Sequence, residues 1–215
     1  MPSILIKPQD IALKSVNALA EDIIQQSLTA DTIGVVGIGP AMSRTCAIVG
    51  VSTEIARISP RKILLDYVET PVVGPFDAIY FQLTTKPTAE LPELVKRLES
   101  ELVANRTGPG GQVVFVSKLA EIRRITTTCL YTIRDFDLVK IQAAGLAINS
   151  AVSAALQVVK LSKEPARIEA VTLEPIQSKT GGYRTTALSI YIRRGKVAER
   201  DPDLVRTLRD LKLIT

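Results

Sequence analysis

The chain has 215 residues, 46% of them hydrophobic, with 27 Lys and Arg against 22 Asp and Glu, two Cys, no Trp and no His. Without histidine and with only two cysteines, a zinc site and a Ser-His or Cys-His catalytic pair are practically excluded, so no enzyme, cofactor or metal is expected. The length fits one large domain or two of about 90 to 100 residues, and the excess of Val, Ile, Leu and Ala describes an aliphatic core.

The opening "MPSILIKPQD" lacks a basic segment followed by an apolar run of signal-peptide length. No uncharged apolar stretch is long enough to span a bilayer, so the expectation is a cytoplasmic protein with no membrane partner, in reach of the chromosome. Few Asn among many Ile, Val and Arg is a weak thermophile signature.

From the N-terminus, Ser3 to Ile6 reads as a strand and "PQDIALKSVNALAEDIIQQS" as a helix, with Ile11, Val16, Leu19, Ala20, Ile23 and Ile24 at helical spacing. "TIGVVGIGP" is a strand closing in glycines, and "AMSRTCAIVGVSTEIARI" a helix. "KILLDYVET" and "DAIYFQLTT" are two strands joined by "PVVGP". After residue 111 the order β-α-β-α-β-β returns: "QVVFVS", "LAEIRRITTTCLYTIRDF", "LVKIQAAG", "LAINSAVSAALQVVKLSK", "ARIEAVTLEPIQ" and "TTALSIYIRRG". The junctions "VGIGPAMSRTC" and "QAAGLAINSAV" align without gaps, Gly39 on Gly145 and Ala41 on Ala147. The expected fold class is therefore α+β, a tandem repeat of one unit with a four-stranded mixed sheet and two helices. Its parts are a first domain over 1–88, a linker with a helix over 89–111, a basic domain over 112–196 and a helical tail over 197–215. In the tail, Leu204, Leu208 and Leu211 share one face, suited to docking on a domain or a partner.

The net charge of +5 is uneven along this plan. The balance is −1 over 1–88, −1 over 89–111 and zero over 197–215, whereas residues 112–196 hold thirteen basic and six acidic side chains, or +7. A charge footprint of that kind suits a polyanion. Cys46 and Cys129 lie in helical, apolar runs and read as buried free thiols.

"LAINSAVSAALQVV" carries only a narrow polar strip, Asn149, Ser150, Ser153 and Gln157, so a helix covered from two sides is expected. Its counterpart "CAIVGV" has Gly50, which permits close backbone approach. Pairing of the two helices through Gly50, Ile148, Val152 and Leu156 is one expectation; a single larger core burying both is the other.

The element order, the pattern Ala143-x-Gly145-x-Ala147-Ile148-x-x-Ala151-Val152 and the long polar hairpin before "TTALSIYIRRG" resemble the Alba family. These are small basic nucleic-acid-binding proteins prominent in archaea, with relatives among ribonuclease P protein subunits. The resemblance covers residues 112 to 196 well and 3 to 87 more loosely. It implies a DNA-binding or RNA-binding protein that works as a dimer, here made within one chain. Backbone contacts would come from basic residues at the end of the first strand and at the second strand-to-helix turn, and a hairpin arm would follow a groove. Lys118 matches the first basic position, while Leu119 stands where a second lysine is often found. At the turn, Ala144 and Leu146 replace the arginines flanking the glycine, as do Ile38 and Pro40 in the first copy.

The hairpin "IQSKTGGYRTT" supplies Lys179, Arg184 and Tyr183, a ring able to stack on a base or sugar, or else is an ordinary solvated hairpin. The first copy's "TPVVGP" is short and uncharged, so that copy is expected to lack the arm and to serve structure. Arg123, Arg124, Arg193 and Arg194 complete the expected nucleic-acid-binding set, each able to neutralise a phosphate. The rival function is an Alba-fold assembly protein that has lost nucleic-acid binding and acts through a protein partner or self-association. "GVVGIGP" lacks the G-x-G-x-x-G spacing, "SKTGG" lacks a preceding Gly-rich loop and a following helix, and Asp135 with Asp137 reads as turn chemistry.

Overall fold

The structure is a computed structural model that describes residues 1–70, 74–86, 88–104, 112–177, 184–196 and 199–214. In chain order the elements are β1 (Ser3–Ile6), α1 (Pro8–Leu13), α2 (Val16–Ser27), β2 (Thr32–Ile38), a 3-10 turn (Gly39–Ala41), α3 (Met42–Ala56), β3 (Ser59–Thr70) and β4 (Gly74–Thr84). There follow α4 (Glu90–Ala104), β5 (Val113–Val116), α5 (Ile122–Phe136), β6 (Leu138–Ala144), α6 (Ala147–Leu161), β7 (Ala166–Gln177), β8 (Arg184–Arg194) and α7 (Pro202–Asp210).

The chain divides into two units, Met1–Thr88 with Glu199–Thr215, and Ala89–Ala198. Each holds a four-stranded mixed sheet of the same design, in the orders β1-β2-β4-β3 and β5-β6-β8-β7. The first two strands are parallel and the other pairings antiparallel. The α+β repeat expected from the sequence is present in both halves.

In the first unit α2 and α3 pack on one face of the sheet. The single long helix expected over residues 8–27 is two helices, because Lys14 is extended and Ser15 starts a new one, its Oγ accepting a 3.2 Å bond from the Ala18 N–H. The C-terminal helix α7 covers the opposite face: Leu204, Leu208 and Leu213 pack with Val36, Ile38, Val68, Ala78 and Tyr80. Helices on both faces explain why β2 is buried from Ile33 to Ile38 and reads as a continuous apolar run. Polar contacts fasten the same segment. Lys62 Nζ lies 2.6 Å from the Asp201 carboxylate, Gln82 donates to Asp203 at 3.2 Å, and Arg200 reaches Asp66 at 2.8 Å. The tail is thus part of the first unit.

In the second unit α5 and α6 pack on one face and α4 on the other. Leu98 and Leu102 of α4 bury against Leu138, Ala170 and Tyr191. Glu99 accepts from Tyr191 Oη at 2.5 Å and from Lys140 Nζ at 2.6 Å. Burial, and then Glu99, push the Tyr191 hydroxyl well above its ordinary value. Residues 90–104, expected to be a linker helix, are therefore an integral layer of this unit. Of the four residues expected to pair the helices, Ile148 and Val152 are fully buried, and Gly50 and Leu156 are half-buried.

The expectation of a hairpin arm in the second half alone is corrected. Beyond the last β2 pair, Ile38 with Ala78, strands β3 and β4 run on for four more residue pairs, from Tyr67–Asp77 to Thr70–Gly74. Beyond Ala144 with Ala187, β7 and β8 run on for three, from Pro175–Thr186 to Gln177–Arg184. Both units carry an arm, and they differ in chemistry: the first brings Glu69 and Asp77, the second Arg184. Cys46 and Cys129 are buried and free, and burial pushes both thiols up, Cys129 to about 12.

Candidate nucleic-acid interface

The structural division sharpens the charge asymmetry. The first unit has eleven basic and twelve acidic residues; the second has sixteen and ten, a balance of +6. In the second unit, register decides which cations meet. Strands β5 and β6 run parallel, so Ser117 and Lys118 follow Val116 at the sheet end where the Gly145 turn follows Ala144. The arm of β7 and β8 leaves from that same end, and the Gly145 N–H donates to the Thr186 carbonyl at 3.3 Å.

Lys118 lies in a turn closed by a 3.1 Å bond from the Ala120 N–H to the Ser117 carbonyl, and its side chain is exposed. One residue past the Glu121 N-cap, α5 begins, with Arg123 and Arg124 exposed in its first turn and no acidic residue beside them there. Among the described residues none of the three cations forms an ion pair or a side-chain hydrogen bond. Two arginines at a helix N-terminus oppose the macrodipole at a cost of about 0.3 to 1 kcal/mol each. A bound anion would relieve both the dipole and their mutual repulsion.

Between β5 and the start of α5 lies a concavity of about 490 Å³, lined among others by Phe115, Ser117, Leu119, Glu121, Arg124 and Thr128. Phe115 is 75% exposed and Leu119 90%. Sequence reasoning missed Phe115, because "QVVFVS" reads as a uniformly apolar strand and nothing in it marks the exposed position. The aligned register could have found it: Phe115 pairs with Gln142, and Leu5 pairs with Val36 at the corresponding point.

The remaining expected residues divide sharply. Arg193 and Arg194 stand at the opposite end of the sheet, beside Leu138 and Ala166. Arg193 holds Glu101 through two bonds of 2.8 and 2.7 Å, and Arg194 pairs with Asp137 and, at 2.8 Å, with Glu164. The charges of both are thus met by carboxylates of this chain, at the sheet end opposite Lys118. Of Arg184 the strand position is described, and Lys179 and Tyr183 lie outside the described residues.

The turn itself is bare. Gly145 has a φ of +56° and Gly39 a φ of +50°, so both units make the same left-handed bend from strand to helix. Ala144 is half-buried and Leu146 62% exposed, so neither chain neighbour of the second-unit glycine is a cation.

Fold and site together define a class: two four-stranded α+β units of one topology, one nearly neutral and one basic, with cations unpaired among the described residues at the end of its sheet. A solved structure, Alba from Thermoplasma volcanium, is similar over 38% of this chain and 99% of that chain, at 20% identity and a TM-score of 0.34. No family model and no curated protein matches the chain. Among the described residues no helix is long and apolar enough to cross a membrane.

Proposed function

We propose that the protein is a non-enzymatic nucleic-acid-binding protein that holds RNA or DNA mainly by its backbone, through the basic end of the second unit. The observation that carries this is the gathering of Lys118, Arg123 and Arg124, unpaired among the described residues, at the sheet end from which the β7-β8 arm departs. Arg184, paired with Gln177 at the last described position of that arm, belongs to the same segment. The first unit serves as a structural half.

Anisotropy titration of labelled RNA and DNA at about 50 and about 200 mM salt tests the reading. Binding that weakens steeply with salt is expected. The bare Ala144-Gly145-Leu146 turn favours a second reading, an assembly protein acting through protein contacts. No binding at the lower salt, together with a stable higher oligomer in light scattering, would select it.

A further inference from the structure

The arm of the first unit is suited to a cation, because Glu69 and Asp77 would set like charge against phosphates. Tyr67 and Glu69 stand two apart on β3 and so share one face, opposite Asp77 and Pro75 of β4. Tyr67 is 42% exposed, and Glu69 is exposed and forms no ion pair or side-chain hydrogen bond among the described residues. Val68, on the other face, is fully buried in the cluster that α7 closes, and Arg200 donates to the Tyr67 carbonyl at 2.8 Å. The arm is therefore held in place with its aromatic and acidic face open, which lowers the cost of ordering it on binding.

A surface of matching chemistry lies in the second unit. The concavity of about 490 Å³ between α5 and β5, an edge strand of its sheet, is lined by the apolar Val114, Leu119 and Ile125 together with Arg124, and Glu121 is the acid on its wall. Leu119 is 90% exposed, and Arg124 forms no ion pair among the described residues. An apolar wall beside an unpaired cation fits an aromatic ring with a carboxylate two residues along a strand, as Tyr67 and Glu69 supply. The two surfaces are unlike each other and belong to different units, so a contact between copies joins head to tail and leaves a free arm at one end and a free groove at the other.

We infer that the Tyr67–Glu69 face of one copy docks in the β5–α5 concavity of a second copy of this chain, with the Tyr67 ring against Leu119 and Ile125 and Glu69 opposite Arg124. One arm in one groove is smaller than a standard interface, so the association is weak, concentration-dependent and sensitive to salt. The inference goes beyond the nucleic-acid reading and does not depend on it.

The test is sedimentation velocity of the nuclease-treated full chain over a range of concentrations, at about 50 and about 500 mM salt. Wild type is expected to associate at the lower salt and to dissociate at the higher. Glu69→Lys, Arg124→Glu and Leu119→Asp should each weaken association about tenfold, and the charge-swapped Glu69→Lys/Arg124→Glu variant should regain most of it. An equimolar mixture of Glu69→Lys and Arg124→Glu should form a dimer that grows no further, because one variant brings an intact groove and the other an intact arm. Melting temperatures measured alongside, and the recovery in the double variant, separate loss of the contact from loss of fold. The inference is overturned by a wild type that stays monomeric at every concentration, by single reversals that associate as wild type does, or by a mixture that stays monomeric. Nucleic-acid binding is scored separately by the titration above, so the two readings fail independently.

Discussion

Gly37 lies so close to Thr45 that a Cβ on the glycine would stand 2.2 Å from the threonine Oγ1 and 2.7 Å from its Cβ. The pair joins β2 to α3, and Thr45 is held in place by donating from Oγ1 to the Ala41 carbonyl at 2.9 Å. At the aligned positions of the second unit stand Ala143 and Ala151, where the extra carbon on the strand is matched by a smaller residue on the helix. Gly37→Ala is expected to destabilise the first unit by about 1 to 3 kcal/mol through overpacking, and Gly37→Ala/Thr45→Ala to recover most of that loss. Chemical denaturation of the two variants measures it.

The C-terminal helix is expected to be an obligatory layer of the first unit. Leu208 is fully buried against the sheet, so Leu208→Ala is expected to cost about 3 kcal/mol. A chain ending at residue 198 should expose Val36, Ile38, Val68 and Tyr80 and bind an apolar dye that the full chain does not.

The Arg193–Glu101 pair predicts a separation of stability from binding. Arg193→Gln is expected to lose about 1 kcal/mol of second-unit stability and leave nucleic-acid affinity within about twofold. The hydrogen bonds from Arg193 hold the Glu101 carboxyl below its ordinary value, and Lys62 with the α7 backbone N–H groups does the same for Asp201 against the opposing effect of burial. Both groups bind protons more weakly folded than unfolded. Their contribution is therefore complete above the ordinary carboxylate range and is lost as pH falls through the depressed folded values. Thermal melting followed from neutral pH into the acid range should show the loss, and Arg193→Gln should flatten the part due to Glu101.

Restoring charge at the bare turn is a gain-of-function test. Leu146 is 62% exposed, so Leu146→Arg is expected to fold normally. One added phosphate contact should tighten binding and steepen the logarithmic salt dependence by about 0.9 on duplex DNA.

Much of this fold was legible in the chain. The short β1 run and the twelve-residue β7 kept their bounds, and the matching left-handed glycines at 39 and 145 stand where the gapless alignment put them. What the chain hid were partners distant in sequence. The helix over 89–111 was expected as a linker, because nothing local says that Leu91, Leu94, Val95, Leu98 and Leu102 cover the sheet of the unit that follows. Arg193 and Arg194 looked like free cations because Glu101 is 92 residues away from the first. The first-unit arm was missed since a strand pair running past its sheet is set by register. For the candidate site, composition located the basic half, while the exposure of Phe115 followed from which end of the sheet a covering helix leaves open.

The most direct measurement compares two charge reversals of equal size. In Lys118→Glu/Arg123→Glu/Arg124→Glu the cluster is inverted, and in Arg44→Glu/Arg61→Glu/Arg209→Glu three exposed cations of the first unit are inverted instead. Anisotropy titration on one duplex from about 50 to about 200 mM salt should show the cluster variant losing more than about tenfold in affinity and about 2.7 from the salt slope. The first-unit variant should remain within about threefold of wild type. Equal losses in both variants, or none in the cluster variant, would contradict a nucleic-acid interface at the basic end of the second unit.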